Sequence, residues 1–205
     1  MPVDLPISDL VHQLSRVGLR PDERLVHHIL AHGDAARAAL LPLATDVKML
    51  YQDFPQCFGP LHALRLLGEV PAEAMIRPLF AGLPIPIDDE EDDEAAPNIY
   101  SREILQIIGR VGQSALPTLS AVLDDRAVHP LTRVAAASGM AYVATYAPEV
   151  RDEVIAAARR RFAEPDQPLE VTRGLAILLA ELGDSASYKP IMAAYRVGTI
   201  DQDLF

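Results

Sequence analysis

Five near-equivalent positions recur along this chain of 205 residues: Pro42, Pro78, Pro117, Val154 and Pro190, separated by 36, 39, 37 and 36 residues. Their frames are alike: Leu41-Pro42-Leu43-Ala44, Arg77-Pro78-Leu79-Phe80, Leu116-Pro117-Thr118-Leu119, Glu153-Val154-Ile155-Ala156 and Lys189-Pro190-Ile191-Met192. A fixed period between about 20 and 50 residues marks a stack of supersecondary units, and a unit of about 37–40 residues holds one pair of helices.

The residues between these marks read as helices. Ala and Leu dominate, both good helix formers, and no sustained period-2 run of β-branched residues signals a strand. Apolar residues recur at helical spacing in Leu64, Leu67 and Val70; in Ile104, Ile107, Ile108 and Val111; in Val134, Ala137, Met140 and Val143; and in Leu175, Leu178, Leu179 and Leu182. This spacing predicts Leu67, Ile108, Met140 and Leu179 as buried equivalents. Each such helix precedes a recurring mark across a short turn: Gly33-Asp34, Pro71, Gly112-Gln113, Tyr146-Ala147-Pro148 or Gly183-Asp184. Gly closes one helix in left-handed geometry, and Pro or Asp opens the next. The recurring proline is expected early in the second helix, where its missing N–H costs little. Pro60, Pro130 and Pro168 mark starts of first helices.

The expected map is an N-terminal helix over 8–17, then pairs at 22–32 with 35–50, 60–70 with 73–82, 100–111 with 114–124, 130–144 with 148–163, and 169–182 with 185–197. All lie in one domain, 1–205. An irregular acidic connection over 83–98 carries Pro84, Pro86, Pro97 and seven consecutive acids, Asp88 to Glu94, and the tail from Gly198 is expected to be loosely attached.

The net charge is −11, and −4 without the acidic run. Either value opposes phosphate backbones, which argues against a nucleic-acid partner. The single cysteine, Cys57, cannot form an internal disulfide and suits a reducing compartment. The start, Met1-Pro2-Val3-Asp4, shows no basic region followed by an apolar stretch, and no apolar run approaches the ~18 residues of a membrane span. The expectation is a soluble cytoplasmic protein with no membrane partner.

The period, the Leu-Leu-Gly-x-Val and Ile-Ile-Gly-x-Val ends of first helices, and the Ala-Leu-Pro-x-Leu start at 115–119 resemble HEAT-like repeats. The resemblance implies a right-handed α-α superhelix of about five helix pairs plus the N-terminal helix. A bacterial family of HEAT-like proteins of unassigned function is similar in three places: His62-Ala63-Leu64-Arg65-Leu66-Leu67-Gly68, the acidic connection, and Ala193-Ala194-Tyr195-Arg196-Val197-Gly198. Some of its members carry a C-terminal Cys-rich zinc motif. This sequence has none, so no zinc is expected.

Candidate chemistry is sparse. His28 and His32 lie four apart, with His27 adjacent, and could present two imidazoles to a metal. Zinc needs three or four ligands, and no third is evident. HEAT-like metal oxygenases use His-Glu dipeptides, and this chain has none. The run Asp88–Glu94 lacks the Gly and the alternation of a calcium loop, so a solvated loop is expected. Cys57 with His62 could suggest a thiol nucleophile, but no third orienting group is apparent. Tyr51, Phe54 and Phe58 read as anchors for the loop between the first two pairs.

In HEAT-like solenoids the second helices line the concave face. Six residues past each mark stand Lys48, Pro84, Leu123, Arg160 and Arg196; one residue before it stand Leu41, Arg77, Leu116, Glu153 and Lys189. Lys48, Arg77, Arg159, Arg160, Lys189 and Arg196 therefore form a candidate basic stripe, with Arg161 beside it, able to receive an acidic peptide or carboxylates. HEAT-like DNA-repair enzymes need a strongly basic groove and aromatic residues, which the −11 charge and absent Trp oppose. The expected function is a non-catalytic protein-binding scaffold or adaptor without a cofactor. The alternative is a lyase-like enzyme, or a ligand- or chromophore-handling protein, on the same scaffold.

Overall fold

In a computed structural model, which describes residues 5–85, 95–198 and 200, every regular element is helical. The chain divides into two compact units, Met1–Ile107 and Ile108–Phe205.

In the first unit, α1 (Ile7–Gln13) runs into a 3-10 turn, Leu14–Arg16. Helix α2 (Glu23–Leu30) opens on Asp22, whose carboxylate accepts from the Arg24 N–H at 2.8 Å, satisfying one of the donors a helix start leaves orphaned. Next come α3 (Asp34–Ala44), 3-10 turns Val47–Tyr51 and Gln56–Phe58, α4 (Gly59–Leu67), a 3-10 turn Glu73–Met75, and α5 (Ile76–Phe80). Helix α6 (Ala96–Gly109) belongs to this unit through Ile107. Helix α3 packs on α1 and α4. The phenol of Tyr100 on α6, fully enclosed, donates to the Ala44 carbonyl at 2.6 Å and so satisfies an acceptor at the end of α3.

The second unit contains α7 (Leu116–Asp124), α8 (Pro130–Tyr146), α9 (Arg151–Phe162), α10 (Leu169–Glu181) and α11 (Tyr188–Arg196). Helix α8 is central and packs against α7, α9 and α10. Successive first helices approach closely at glycines. A Cβ on Gly109 of α6 would stand 2.5 Å from Tyr142 Cβ on α8, and one on Gly174 of α10 would stand 2.9 Å from Val134 Cγ1 on α8.

The expected buried equivalents are buried: Leu67, Ile108 and Leu179 are fully enclosed and Met140 is 2% exposed. Two of the turns follow the expected chemistry. Gly112 and Gly183 adopt φ of 76° and 63°. At Gly183 the Asp184 N–H reaches back to the Leu179 carbonyl at 2.9 Å, a six-to-one closure of α10. Four second helices share a feature that periodicity does not carry, a leading 3-10 turn: Glu73–Met75 before α5, Gly112–Ala115 before α7, Pro148–Val150 before α9 and Ser185–Ser187 before α11. Pro78, Pro117, Val154 and Pro190 then fall in the first turn of the α-helix proper, as expected.

Three local expectations are corrected. Pro42 lies inside α3 and near its end, not at its start. Its missing N–H cannot hold the carbonyl four residues back, and the helix stops at Ala44, so the expected helix 35–50 is broken before the 3-10 turn Val47–Tyr51. The Thr45 hydroxyl closes that end by donating to the Leu41 carbonyl at 2.9 Å. Pro97 belongs to the first turn of α6 rather than to the connection, a position where proline is tolerated. Leu116 and Leu123, read as second-helix face positions, are buried in α7. The acidic run Asp88–Glu94 and the tail beyond Ile200 lie outside the described residues. Among the described residues no helix is long and apolar enough to cross a membrane.

Polar bridges also follow the repeat. Arg65 on α4 grips Glu103 on α6 through two bonds of 2.6 and 2.7 Å, across 38 residues. Arg37 on α3 donates to the Val70 carbonyl at 2.8 Å, 33 residues on, and Arg151 on α9 donates to the Leu182 carbonyl, 31 residues on. In both of the latter, a second helix holds a carbonyl just past the next first helix. A guanidinium there satisfies an orphan acceptor and complements the helix C-terminus.

Candidate anion-binding cleft

A cluster of charged side chains belongs to the second unit. The C-terminus of α7, the start of α8, the end of α9 and the loop before α10 meet around a cleft of about 240 Å³, lined by Asp124, Arg126, Arg133, Arg160, Arg161, Glu164 and Gln167. Its floor is fixed. Arg133, 2% exposed, donates Nε–H to the Leu123 carbonyl at 2.7 Å and Nη2–H to Gln167 Oε1 at 2.9 Å. The first bond caps α7. The second joins α8 to the loop, where Asp166 turns the chain with φ of 61°, a region Asp enters more readily than most residues. Gln167 in turn donates to Glu164 Oε2 at 2.9 Å.

Arg161, 7% exposed, forms the second fixed element. Its Nε and Nη2 hold the two Asp124 oxygens at 2.6 and 2.7 Å, and its Nη1 donates to the Ala157 carbonyl at 3.2 Å. These bonds hold the Asp124 carboxyl below the usual carboxylate range, and the charges of Arg133 and Arg160 add to the effect. Arg126 and Arg160 are exposed at the rim, and neither has an ion-pair partner among the described residues. The cleft thus carries four guanidiniums against two carboxylates, with both rim guanidiniums available as donors.

Only Arg160 of the expected stripe lies in this cleft. Lys48, in the turn Val47–Tyr51, and Arg77, on α5, are exposed in the first unit. Arg159 is engaged by Asp184: its Nε–Oδ2 bond measures 2.6 Å, and Ser187 donates to the same carboxylate. Arg159 leads in holding the Asp184 carboxyl well below the usual range. Lys189 and Arg196 lie on α11, and Arg196 borders a second, apolar cleft of about 670 Å³ lined chiefly by Tyr188, Ile191, Met192 and Tyr195.

The remaining sequence candidates are otherwise engaged or solitary. His62, 1% exposed, donates Nε2–H to the Gly18 carbonyl at 2.8 Å, and burial pulls its pKa down, so it sits neutral and is not directed at a thiol. Burial pushes the Cys57 thiol up, opposite to what a nucleophile needs. His28 and His32 stack at 5.8 Å with planes 22° apart. Among the described residues, no group of three His, Cys, Asp or Glu side chains could hold a metal ion. Phe54 packs edge-on against Phe58 at 6.0 Å, yet Phe54 is 62% exposed and anchors its loop only in part.

Sequence reasoning missed Asp124, Arg126, Arg133, Glu164 and Gln167. One signal was present. Arg133 shares the helical phase of Ala137 and Met140, so a charged side chain stands on the core stripe of α8. A buried guanidinium must find acceptors, and a search for them would have led to the end of α7. Comparison with known protein families, with curated proteins and with solved structures found no match.

Proposed function

We propose that this protein is a non-catalytic binding module of HEAT-like repeats, a right-handed stack of helix pairs, which receives an acidic segment of a partner protein at the arginine cleft of its second unit. The HEAT-like reading is supported by the 36–39-residue period, the repeated order of first helix, turn, 3-10 lead-in and second helix, and bridges that join residues about one repeat apart. Repeat proteins of this kind act by presenting a rigid surface.

The observation that carries the binding reading is the division of labour among the arginines. Arg133 and Arg161 are fixed in the floor by acceptors of the chain itself, while Arg126 and Arg160 stand at the rim without ion-pair partners. Guanidiniums recognise carboxylates as planar forks, and a preordered floor lowers the entropy lost on binding. The enzyme alternative has less to stand on. The apolar cleft contains one enclosed carboxylate, Asp184, and that group is already held by Arg159 and Ser187.

Fluorescence anisotropy with a labelled hexaglutamate peptide tests the reading. Binding should weaken with salt, since exposed rim charges are screened, and Arg126→Glu with Arg160→Glu should weaken it at least about tenfold, or ~1.4 kcal/mol. Absent binding, or binding that the double variant leaves unchanged, refutes the reading.

A further inference from the structure

The cleft suits a narrower ligand than acidic segments in general. We infer that the cleft takes a phosphate monoester dianion, carried on a phosphorylated serine or threonine of the partner. This inference rests on the proposed reading of the protein as a binder of acidic segments.

Charge is the first argument. Arg126, Arg133, Arg160 and Arg161 against Asp124 and Glu164 leave a balance of +2. A phosphorylated side chain carries about −1.5 to −2 at pH 7, whereas one carboxylate would leave half of that balance uncompensated. The two resident carboxylates, already counted in that balance, have partners of their own. Both Asp124 oxygens accept from Arg161, and Glu164 accepts from Gln167.

Size is the second. A cleft of about 240 Å³ holds roughly eight waters at ~30 Å³ each. That admits one tetrahedral group with part of its solvent shell, so of an acidic segment only a single side chain enters the cleft and its neighbours stay at the rim. No aromatic residue lines it, so a nucleotide's base finds no stacking surface there, and the −11 net charge opposes a nucleic-acid strand or an anionic lipid surface. A peptide-borne phosphate is the form of the ligand that needs only what the cleft provides.

Preorganisation is the third. The buried Arg133 guanidinium is aligned by Leu123 and Gln167 before any ligand arrives. Arg126 and Arg160 then close over the group from two different places, the turn after α7 and the end of α9. Clusters of arginine forks are the recurring means of reading phosphorylated peptides.

The test follows the arginine Nε–H signals in nitrogen-15 spectra of the whole chain. The probes are Gly-Gly-phosphoserine-Gly-Gly, Gly-Gly-Asp-Gly-Gly, inorganic phosphate and the hexaglutamate peptide. The phosphoserine peptide should shift the Arg133 and Arg160 signals and bind at least about tenfold more tightly than the Asp peptide, a difference of ~1.4 kcal/mol. Arg160→Ala and Arg126→Ala, at exposed positions, should each weaken it severalfold with the helical circular dichroism unchanged. Equal affinity for the Asp and phosphoserine peptides overturns the phosphate inference and leaves the acidic-segment reading standing. Inorganic phosphate binding as tightly as the phosphoserine peptide overturns the assignment to a partner's side chain. Failure of all four probes overturns both readings.

Discussion

Helices α9 and α11 are built alike and buried differently. Each follows a turn and a 3-10 lead-in, each carries a recurring mark in its first turn, Val154 or Pro190, and each ends in a basic turn. Helix α9 buries Val154, Ile155, Ala157, Ala158 and Arg161, and it packs on both α8 and α10. Helix α11 buries none of its residues. Its Ile191, Met192 and Tyr195 are only half-buried, and Tyr188 is 65% exposed. Local sequence is enough to make a second helix, but its burial is supplied by the neighbouring pair. Most helix stability in proteins comes from such packing rather than from propensity, so α11 should be the least protected helix of its unit.

The sharpest way to break this comparison is to truncate the core that both pairs share. Leu179→Ala removes a fully enclosed side chain from α10 and should cost about 2–5 kcal/mol in urea unfolding. A cost below about 1 kcal/mol would mean that the last pair contributes little to the unit. Gly109→Ala comes next. Its new Cβ meets Tyr142 Cβ at 2.5 Å and the Tyr142 backbone carbon at 2.9 Å, and the resulting overpacking should cost about 1–3 kcal/mol. A neutral or stabilising result would show that the backbones at Gly109 and Tyr142 separate freely.

Arg161→Met should cost about 1 kcal/mol, because the Asp124 carboxylate it abandons is 56% exposed and solvent screens the pair. The effect depends on pH in a definite direction. The folded pKa of Asp124 lies below its ordinary value of 3.8, so the stability it contributes is present above that value and is lost as pH falls through the folded one. The gap between the wild-type chain and Arg161→Met, followed by urea unfolding, should stay level near neutrality and narrow below about pH 4. A gap that widens in acid would contradict this. The smallest effect is expected at α11: Ile191→Ala, at a half-buried position, should cost under about 1 kcal/mol. A loss equal to that of Leu179→Ala would erase the contrast between α9 and α11.

How far the sequence could be read follows from the range of the interactions involved. Leu67, Ile108, Met140 and Leu179 were legible because burial on a helix follows a period of 3.6 residues within one element. Gly112 and Gly183 were legible because their turns need a backbone that side chains disfavour. The 3-10 lead-ins were not, since their residues differ: Glu73-Ala74-Met75, Gly112-Gln113-Ser114-Ala115, Pro148-Glu149-Val150 and Ser185-Ala186-Ser187. Pro42 misled because it repeats the period while occupying the other end of its helix. The arginine cleft was beyond local reading. Asp124 meets Arg161 across 37 residues and Arg133 meets Gln167 across 34. Arg160 and Arg161 were legible as basic positions but not their partners, and Arg133, out of character on an apolar stripe, was the further hint.

The hydrogen bond from Tyr100 to Ala44 has a spectroscopic consequence. The chain has six tyrosines and no tryptophan, so its near-ultraviolet absorbance and emission are governed by phenols, without energy passing to an indole. Burial holds the Tyr100 phenol well above its ordinary value of 10.0, so folding favours its neutral form. The stability this contributes is complete below that value and is lost as pH climbs through the folded one. Between the ordinary value and the folded one, Tyr100 becomes phenolate chiefly when the first unit opens. In a stopped-flow jump to strongly alkaline pH, its share of the phenolate absorbance should therefore appear as a delayed phase. The rate of that phase reads the opening of the Met1–Ile107 unit without any added dye or label.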